Sequence, residues 1–313
     1  MRIVIKTIDE VSKELEGVSQ LTFGDDADAA CSYISVSFTD KENLGEVDSI
    51  KVYDGDKLIF NGFCDLMKKT SLEDKNRYYI YARSSASLLL DNEAKPFTYF
   101  NPTASFLFSI YAKELGFTDK LPDISCDALY EVQKGSSCFG AVNNFVNLFT
   151  GSRIYVNPEN EIMLLAEGES ADINDFRVLE ATEVINRSEP ISSVVYKRDS
   201  AEHDYSVNAY AGISDELKIN RKRYINLGSL PKLQRDFTVM RNLEKSYEKY
   251  KTLELLVDGY ADIALFTGIK YPSDQKNKEY ILYEKKYTSD VRGSRTKLLF
   301  REKIDIKEIT YVD

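Results

Sequence analysis

The tightest local constraint in this chain is a hairpin signal. Ile50-Lys51-Val52-Tyr53 and Lys57-Leu58-Ile59-Phe60 are strand-like runs separated by Asp54-Gly55-Asp56. An Asp-Gly step between two such runs favours a tight turn, because the turn needs positive φ angles that these residues tolerate. The flanking sequence agrees. Arg2 to Thr7 and Cys31 to Thr39 alternate polar and apolar residues with period two, and Arg77 to Arg83 supplies a Tyr-rich strand. This part of the chain therefore predicts a small antiparallel barrel or sandwich in which Asp54-Gly55 closes one hairpin. The 21 Tyr and 16 Phe, with no Trp, suit half-buried pleated surfaces and point the same way.

From Ser84 the period changes. Ser84 is placed to cap a short helix through Leu88, Leu89 and Leu90. Pro102-Thr103 opens a helix whose apolar face carries Phe106, Leu107, Ile110, Tyr111 and Leu115, with Gly116 as its stop. A second helix, Ser137 to Phe149, has Val142, Phe145, Val146 and Phe149 at three- and four-residue spacing and ends at Gly151. A strand pair follows, Arg153 to Val156 and Glu161 to Ala166, around the turn Asn157-Pro158-Glu159-Asn160. Strands resume at Ile191 to Lys197 and Asp204 to Ala211, and one more helix is expected between Met240 and about Leu256. The chain then reads as a meander: Asp262 to Tyr271, Glu279 to Thr288, Thr296 to Phe300 and Ile304 to Tyr311. No low-complexity segment or short tandem repeat is visible. The expected architecture is a β-rich α+β multidomain fold. Two small antiparallel β-barrel-like domains, residues 1–83 and 186–313, flank an inserted α+β domain at residues 84–185.

The composition excludes several classes of function. A net charge of −10 repels phosphate backbones, so sequence-specific nucleic-acid binding is not expected. The N-terminal Met1-Arg2-Ile3-Val4-Ile5-Lys6 lacks the apolar region of a signal peptide. Ser105 to Ala112 is too short to span a membrane, and Leu253 to Ile269 carries Asp258 and Asp262. The expected product is made in the bacterial cytoplasm and leaves by assembly and lysis. Cys31, Cys64, Cys126 and Cys138 form no C-x-x-C pair and read as buried free thiols.

Between Asp54 and Ala94 the order of features resembles a known family. A hairpin leads to Phe60-Asn61-Gly62-Phe63. A Tyr-rich strand then runs into Tyr81-Ala82-Arg83-Ser84-Ser85-Ala86-Ser87-Leu88-Leu89-Leu90-Asp91-Asn92-Glu93-Ala94, followed by Tyr99, Pro102 and a helix ending Glu114-Leu115-Gly116-Phe117. This run is similar to the baseplate hub proteins of contractile phage tails and of phage-tail-like R-type bacteriocins. The resemblance is closest to PBSX-type prophage hubs of Gram-positive bacteria and more distant to the hubs of phages T4 and Mu. It is firmest over residues 30–160. It implies a homotrimer whose subunits each carry two related β-barrel tube domains, so that three subunits present six similar units to a sixfold tube. The implied partners are the tail tube protein or tube initiator above and the spike below, with baseplate wedge proteins and the tape measure as further candidates. It also implies an axial channel, toward which the acidic charge is expected to be concentrated. A surface β-rich module binding glycan or protein is the alternative reading.

No enzyme chemistry is evident in the residues. The sole histidine, His203, stands beside Asp204, and a lone histidine can build neither a multi-histidine metal site nor an H-E-x-x-H motif. Gly24-Asp25-Asp26-Ala27-Asp28-Ala29 lacks the glycine and distal glutamate of an EF-hand and reads as a solvated turn. No G-x-G occurs, which removes the dinucleotide and Walker fingerprints. The 51 acidic residues allow carboxylate pairs, yet sugar clefts often stack on tryptophan, which is missing. Asn186-Arg187-Ser188 matches a glycosylation triplet that needs a secretion signal to matter. Arg221-Lys222-Arg223 followed by Tyr224 is read as a strand end or a contact to an acidic neighbour. No catalytic, cofactor-binding or metal-binding residue is assigned, no cofactor is expected, and the chain is read as a structural protein.

Overall fold

The computed structural model describes residues 1–127, 129–165, 168, 170–197, 205–227, 232–273, 276–306 and 309–312. The first segment forms β1 (Arg2–Thr7), β2 (Ser12–Glu14), β3 (Val18–Asp26), β4 (Tyr33–Asp40), β5 (Val47–Asp54), β6 (Lys57–Ser71) and β7 (Asn76–Ser84). The middle contributes α1 (Ser87–Asp91), β8 (Phe97–Phe100), α2 (Ala104–Tyr111), β9 (Thr118–Asp119), β10 (Leu129–Val132), α3 (Cys138–Thr150), β11 (Arg153–Val156), β12 (Glu161–Leu165), β13 (Ser170–Ala171) and β14 (Val178–Ile185). The last part holds β15 (Ser193–Tyr196), β16 (Val207–Ala211), α4 (Ile213–Glu216), β17 (Lys222–Ile225), α5 (Lys232–Tyr247), β18 (Lys251–Asp258), β19 (Gly268–Ser273), β20 (Lys276–Asp290), β21 (Gly293–Glu302) and β22 (Ile309–Val312).

The hairpin reading holds: Asp54 faces Lys57, and Gly55 takes φ 57° in the turn between β5 and β6. The protein is β-rich α+β as expected. Its two β regions are joined in a single 13-stranded sheet, whose main path is β14-β18-β21-β20-β3-β4-β7-β6-β5-β1-β2. The path is open, since no pairing among the described residues joins its ends. The seam between the regions is the antiparallel pairing of β20 with β3, from Glu284↔Asp26 to Ser289↔Leu21.

The two sides of that seam repeat one another. One side runs β3-β4-β7-β6 and the other β14-β18-β21-β20, in both cases the first, second, fourth and third strand in chain order. The registers coincide. Cys64↔Ala82, Leu66↔Tyr81 and Met67↔Ile80 correspond to Leu282↔Phe300, Glu284↔Leu299 and Lys285↔Leu298. The long strands β6 and β20 are each 15 residues and bulge at matching points, between Cys64 and Leu66 and between Leu282 and Glu284. β3 and β14 also bulge alike, between Val18 and Gln20 and between Val178 and Glu180. A bulge bends and twists a strand at a set position, so matched bulges give the two units the same curvature.

Among the described residues, four cores hold the molecule together. One lies under the first sheet unit (Ile5, Ile34, Phe38, Ile50, Ile80) and a second under the other unit (Leu253, Leu255, Leu282, Leu298, Phe300). The inserted region has its own core of Leu89, Leu107, Val142, Phe145 and Ile162. The fourth lies where α5 covers the small sheet β17-β15-β16-β22, through Val194, Val207, Val239, Leu243 and Tyr247.

Helix α3 is as expected, with Ser137 Oγ accepting from Gly140 N and Gly151 left-handed at the end. Thr103 caps α2 through a hydrogen bond from Phe106 N. Other expectations need correction. Ser84 ends β7 and caps nothing, since α1 begins at Ser87. The buried face of α2 is Ala104, Leu107, Phe108 and Tyr111, which leaves Phe106 and Ile110 exposed. The helix expected at 240–256 lies at Lys232–Tyr247. Beyond it Leu253, Leu255 and Val257 point inward with period two, which is a strand. Residues 262–267 are irregular, so strand structure there starts at Gly268. The last strand leaves the meander, because β22 pairs with β16 in the small sheet.

The closest backbone approach in the large sheet is at Gly62, where an added Cβ would lie 2.1 Å from Arg83 O and 2.8 Å from the Phe60 ring. Gly62→Ala is expected to cost about 2 kcal/mol or more by forcing the β6–β7 ladder apart. Gly55→Ala meets open space and is expected to cost about 1 kcal/mol, through its left-handed φ alone. Urea unfolding of both variants checks this; equal midpoints would contradict the packing argument.

Candidate assembly surfaces and the ionic junction

The acidic segment is a solvated turn only in its second half, where Asp28 and Ala29 are exposed. Gly24 to Asp26 end β3, and Asp25 is only 7% exposed. Its carboxylate accepts from Ser32 Oγ at 2.9 Å and from the Tyr155 hydroxyl at 3.2 Å. Across the seam it lies opposite Lys285, also buried, whose Nζ donates to Ile263 O at 2.9 Å. Burial pushes the Asp25 carboxyl above its ordinary value, and the Lys285 charge and the two hydrogen bonds oppose this only in part. Burial likewise lowers Lys285, against the pull of Asp25. Tyr155 is held well above its usual range by burial and by the adjacent Asp25 charge.

Asp28 belongs to a second ionic group. It pairs with Arg301 from β21 and with Arg153 from β11, the latter at 3.0 Å. Arg301 is 5% exposed, lies 3.7 Å over the Tyr283 ring and also binds Glu248 at 2.7 Å. One turn thus ties the first sheet unit to the inserted region, to the second unit and to the chain after α5. Burial raises Asp28, but the hydrogen bond and charge of Arg301 and the charge of Arg153 outweigh it, leaving the carboxyl below its ordinary value. Glu248 goes the other way: burial raises it and Arg301 offsets that only in part.

Beside this group a cleft of about 1060 Å³ opens between α3, α5 and the turn. Its polar walls are largely engaged in internal contacts. Arg241 donates to Asn147 and to Gly151 O, which ties α5 to the end of α3. Among the described residues no group of three or more His, Cys, Asp or Glu side chains is arranged to hold a metal ion.

The other residues weighed from the sequence are scattered. His203 and Asp204 lie outside the described residues. None of the four cysteines forms a disulfide; Cys126 and Cys138 are buried, whereas Cys31 and Cys64 are half-buried. Asn186 Oδ1 accepts from Ser188 N at 3.0 Å, which closes a local turn. In the basic cluster Arg221 donates to Arg187 O and Pro190 O. Lys222, Arg223 and Tyr224 are exposed on β17, an edge of the small sheet.

What the sequence did not reveal is exposed apolar surface. All eight residues of β14 are exposed, including Leu179, Val184 and Ile185, and this strand is one end of the large sheet. On the inserted region Phe97, Phe100, Phe106 and Leu129 are exposed, Phe100 to 75%. Phe100 faces Leu129 across β8–β10, and Tyr99 bridges Phe97 and Phe106 with ring separations of 4.9 and 5.6 Å. Clusters of this kind mark interaction surfaces.

No family model matches the sequence, and no curated protein matches it. Solved structures do. The 43 kDa tail protein of prophage MuSo2 from Shewanella oneidensis superposes with a TM-score of 0.78 at 13% identity, covering 96% of this chain and 98% of that one. A tail protein from Neisseria meningitidis gives 0.75 at 11% identity, covering 96% of each chain. A component of the E. coli type VI secretion system, described as structurally similar to bacteriophage T4 tail proteins, gives 0.62 at 10% identity over 98% of this chain and 78% of that one. The fold is that of these phage-tail and type VI secretion proteins, matched over 96–98% of this chain.

The ionic junction can be tested by a mutant cycle. Asp25→Leu alone leaves a buried cation and is expected to cost about 3 kcal/mol, whereas Asp25→Leu with Lys285→Met is expected to recover most of that loss. Chemical denaturation of the four chains measures the coupling. A double variant no more stable than Asp25→Leu would count against the pair. The pH dependence has a definite sign. The lowered Asp28 value stabilises the fold above its unfolded pKa of about 3.9, and that contribution is lost as pH falls through the folded value. Asp28→Asn is therefore expected to flatten the loss of stability below about pH 4 in a series of melts.

Proposed function

We propose that this chain is a non-catalytic hub of a contractile-tail baseplate. In this reading it is a homotrimer that joins a sixfold tail tube or tube initiator to a threefold spike and lines the axial channel. The observation that carries it is the register-matched repeat in the large sheet. Two equivalent β units per chain give six in a trimer, which is the number a sixfold tube requires. The likeness to tail proteins over the full chain supports the same place in a particle.

The domain division follows from this role. Residues 1–83 would supply one tube unit, and β14 (178–185) with β18, β20 and β21 would supply the other, so the outward-facing insertion shrinks from the expected 84–185 to about 84–177, facing wedge proteins. The exposed Phe97, Phe100, Phe106 and Leu129 cluster is the natural contact for such a neighbour and favours protein over glycan as its partner. The particle is a virion or a headless bacteriocin, assembled in the cytoplasm and released by lysis, with the net negative charge directed to the lumen.

Quantitative mass spectrometry of purified tail particles, with imaging of the baseplate, tests the proposal. Three copies per particle between tube and spike are expected. Absence from the particle, or measurable wall-degrading turnover by the isolated chain, would overturn it.

A further inference from the structure

The fold splits the basic cluster Arg221-Lys222-Arg223. Arg221 donates to Arg187 O and Pro190 O and so braces the loop before β15. On β17, Lys222 aligns with Ser193 and Arg223 with Val194. Val194 belongs to the core under α5, so Arg223 lies on the helix-covered face of the small sheet and Lys222 on the other. Lys222 shares its face with Tyr224, whose ring meets Tyr205 edge-on at 5.4 Å.

On the helix side Arg223 lines a cavity of about 370 Å³ together with Lys245 near the end of α5, Lys249 just beyond it and Arg153 of β11. Three acids, Asp28, Glu189 and Glu248, share its walls. Asp28 is held by Arg301 and Arg153, and Glu248 by Arg301. Of the wall acids, Glu189 alone is left to face Arg223, Lys245 and Lys249. None of these three cations forms an ion pair or a side-chain hydrogen bond among the described residues. In a chain of net charge −10 this is a local excess of positive charge. The cavity also continues into the cleft beside α3, because Arg153, Asn242 and Lys245 wall both.

The strand above this cavity has an open side. β17 pairs with β15, and its other edge carries no strand among the described residues. Charge on an edge strand by itself guards against self-pairing. That role asks nothing of α5, yet Lys245 and Lys249 converge with Arg223 on one cavity.

We propose that the open edge of β17 and the cavity beneath Arg223 take an extended acidic segment of a partner protein. The segment lies beside β17 as a further strand. Its carboxylates, at alternate positions, face Arg223 and reach toward Lys245 and Lys249, while the residues between them lie on the face of Lys222 and Tyr224. A polypeptide brings the N–H and C=O groups that complete an open ladder, and alternate side chains then select the partner. A phosphate-bearing chain offers the charge without the ladder. A second copy of β17 is a poor occupant, because it would set two basic clusters side by side.

Fluorescence anisotropy with a short labelled peptide alternating Glu and Val tests the site. Wild type is expected to bind it. Arg223→Glu, and Lys245→Glu combined with Lys249→Glu, are each expected to weaken binding at least about fivefold. Lys222→Glu makes the same charge change on the far face and is expected to have little effect. A peptide with proline at its centre, which cannot complete the ladder, is expected to bind as weakly as the Arg223 variant binds the parent peptide. These positions are exposed, and circular dichroism checks that each variant folds. Absence of binding to wild type would overturn the proposal. So would equal losses for Lys222→Glu and Arg223→Glu, which report net charge alone. Equally tight binding of a single-stranded oligonucleotide of matched charge would assign the site to polyanions in general and overturn the peptide. None of these readouts depends on copy number or on presence in a tail particle, so this site and the hub assignment stand or fall separately.

Discussion

The pairing of β3 with β20 is the contact on which the rest of the molecule depends. It joins strands from the two ends of the chain, and six residue pairs along it turn two sheet units into one surface. Backbone hydrogen bonds give such a seam strength but little direction, because a slip by one residue still forms a ladder. Here the buried Asp25 and Lys285 oppose slippage, since a shifted register would separate two desolvated charges. The Arg301 group next to it adds a second lock, reaching Asp28, Glu248 and the Tyr283 ring from one guanidinium.

Arg83 and Arg301 show how the repeat has been put to different uses. They occupy equivalent positions, Phe63↔Arg83 and Ile281↔Arg301. Arg83 holds Asp65 and Asp91 within its own unit, the latter at the end of α1. Arg301 reaches across the seam to the other unit. The same side chain at the same point of the sheet therefore anchors a local helix in one case and an inter-unit junction in the other. The first unit, having no second seam inside the chain, is left with an exposed edge.

Much of the fold was legible along the chain. The Asp54-Gly55 hairpin, the caps at Thr103 and Ser137 and the stop at Gly151 are local signals that do not depend on distant partners. The errors arose where a segment's state depends on what covers it. Leu253 to Val257 suits either a helix or a strand until the core under β18 selects period two. Asp25 and Asp28 look like a solvated turn until Lys285 and Arg301, more than two hundred residues away, arrive beside them. The repeat was invisible because strands tolerate many side chains at one register: β6 and β20 share bulge and pairing while differing at most positions.

The sequence by itself determined a β-rich chain with a mixed insertion, an acidic surface and no recognisable catalytic or metal motif, because alternation, turn residues and residue inventory are local properties. Only the tertiary structure decided that the two β regions share one sheet, that they repeat in register, and that β14 and the outer half of β6 have a strand on one side only among the described residues. The physical reason is that strand pairing is non-local. Which backbone edge finds a partner, and which is left open, is settled by the whole topology and is written in no single segment.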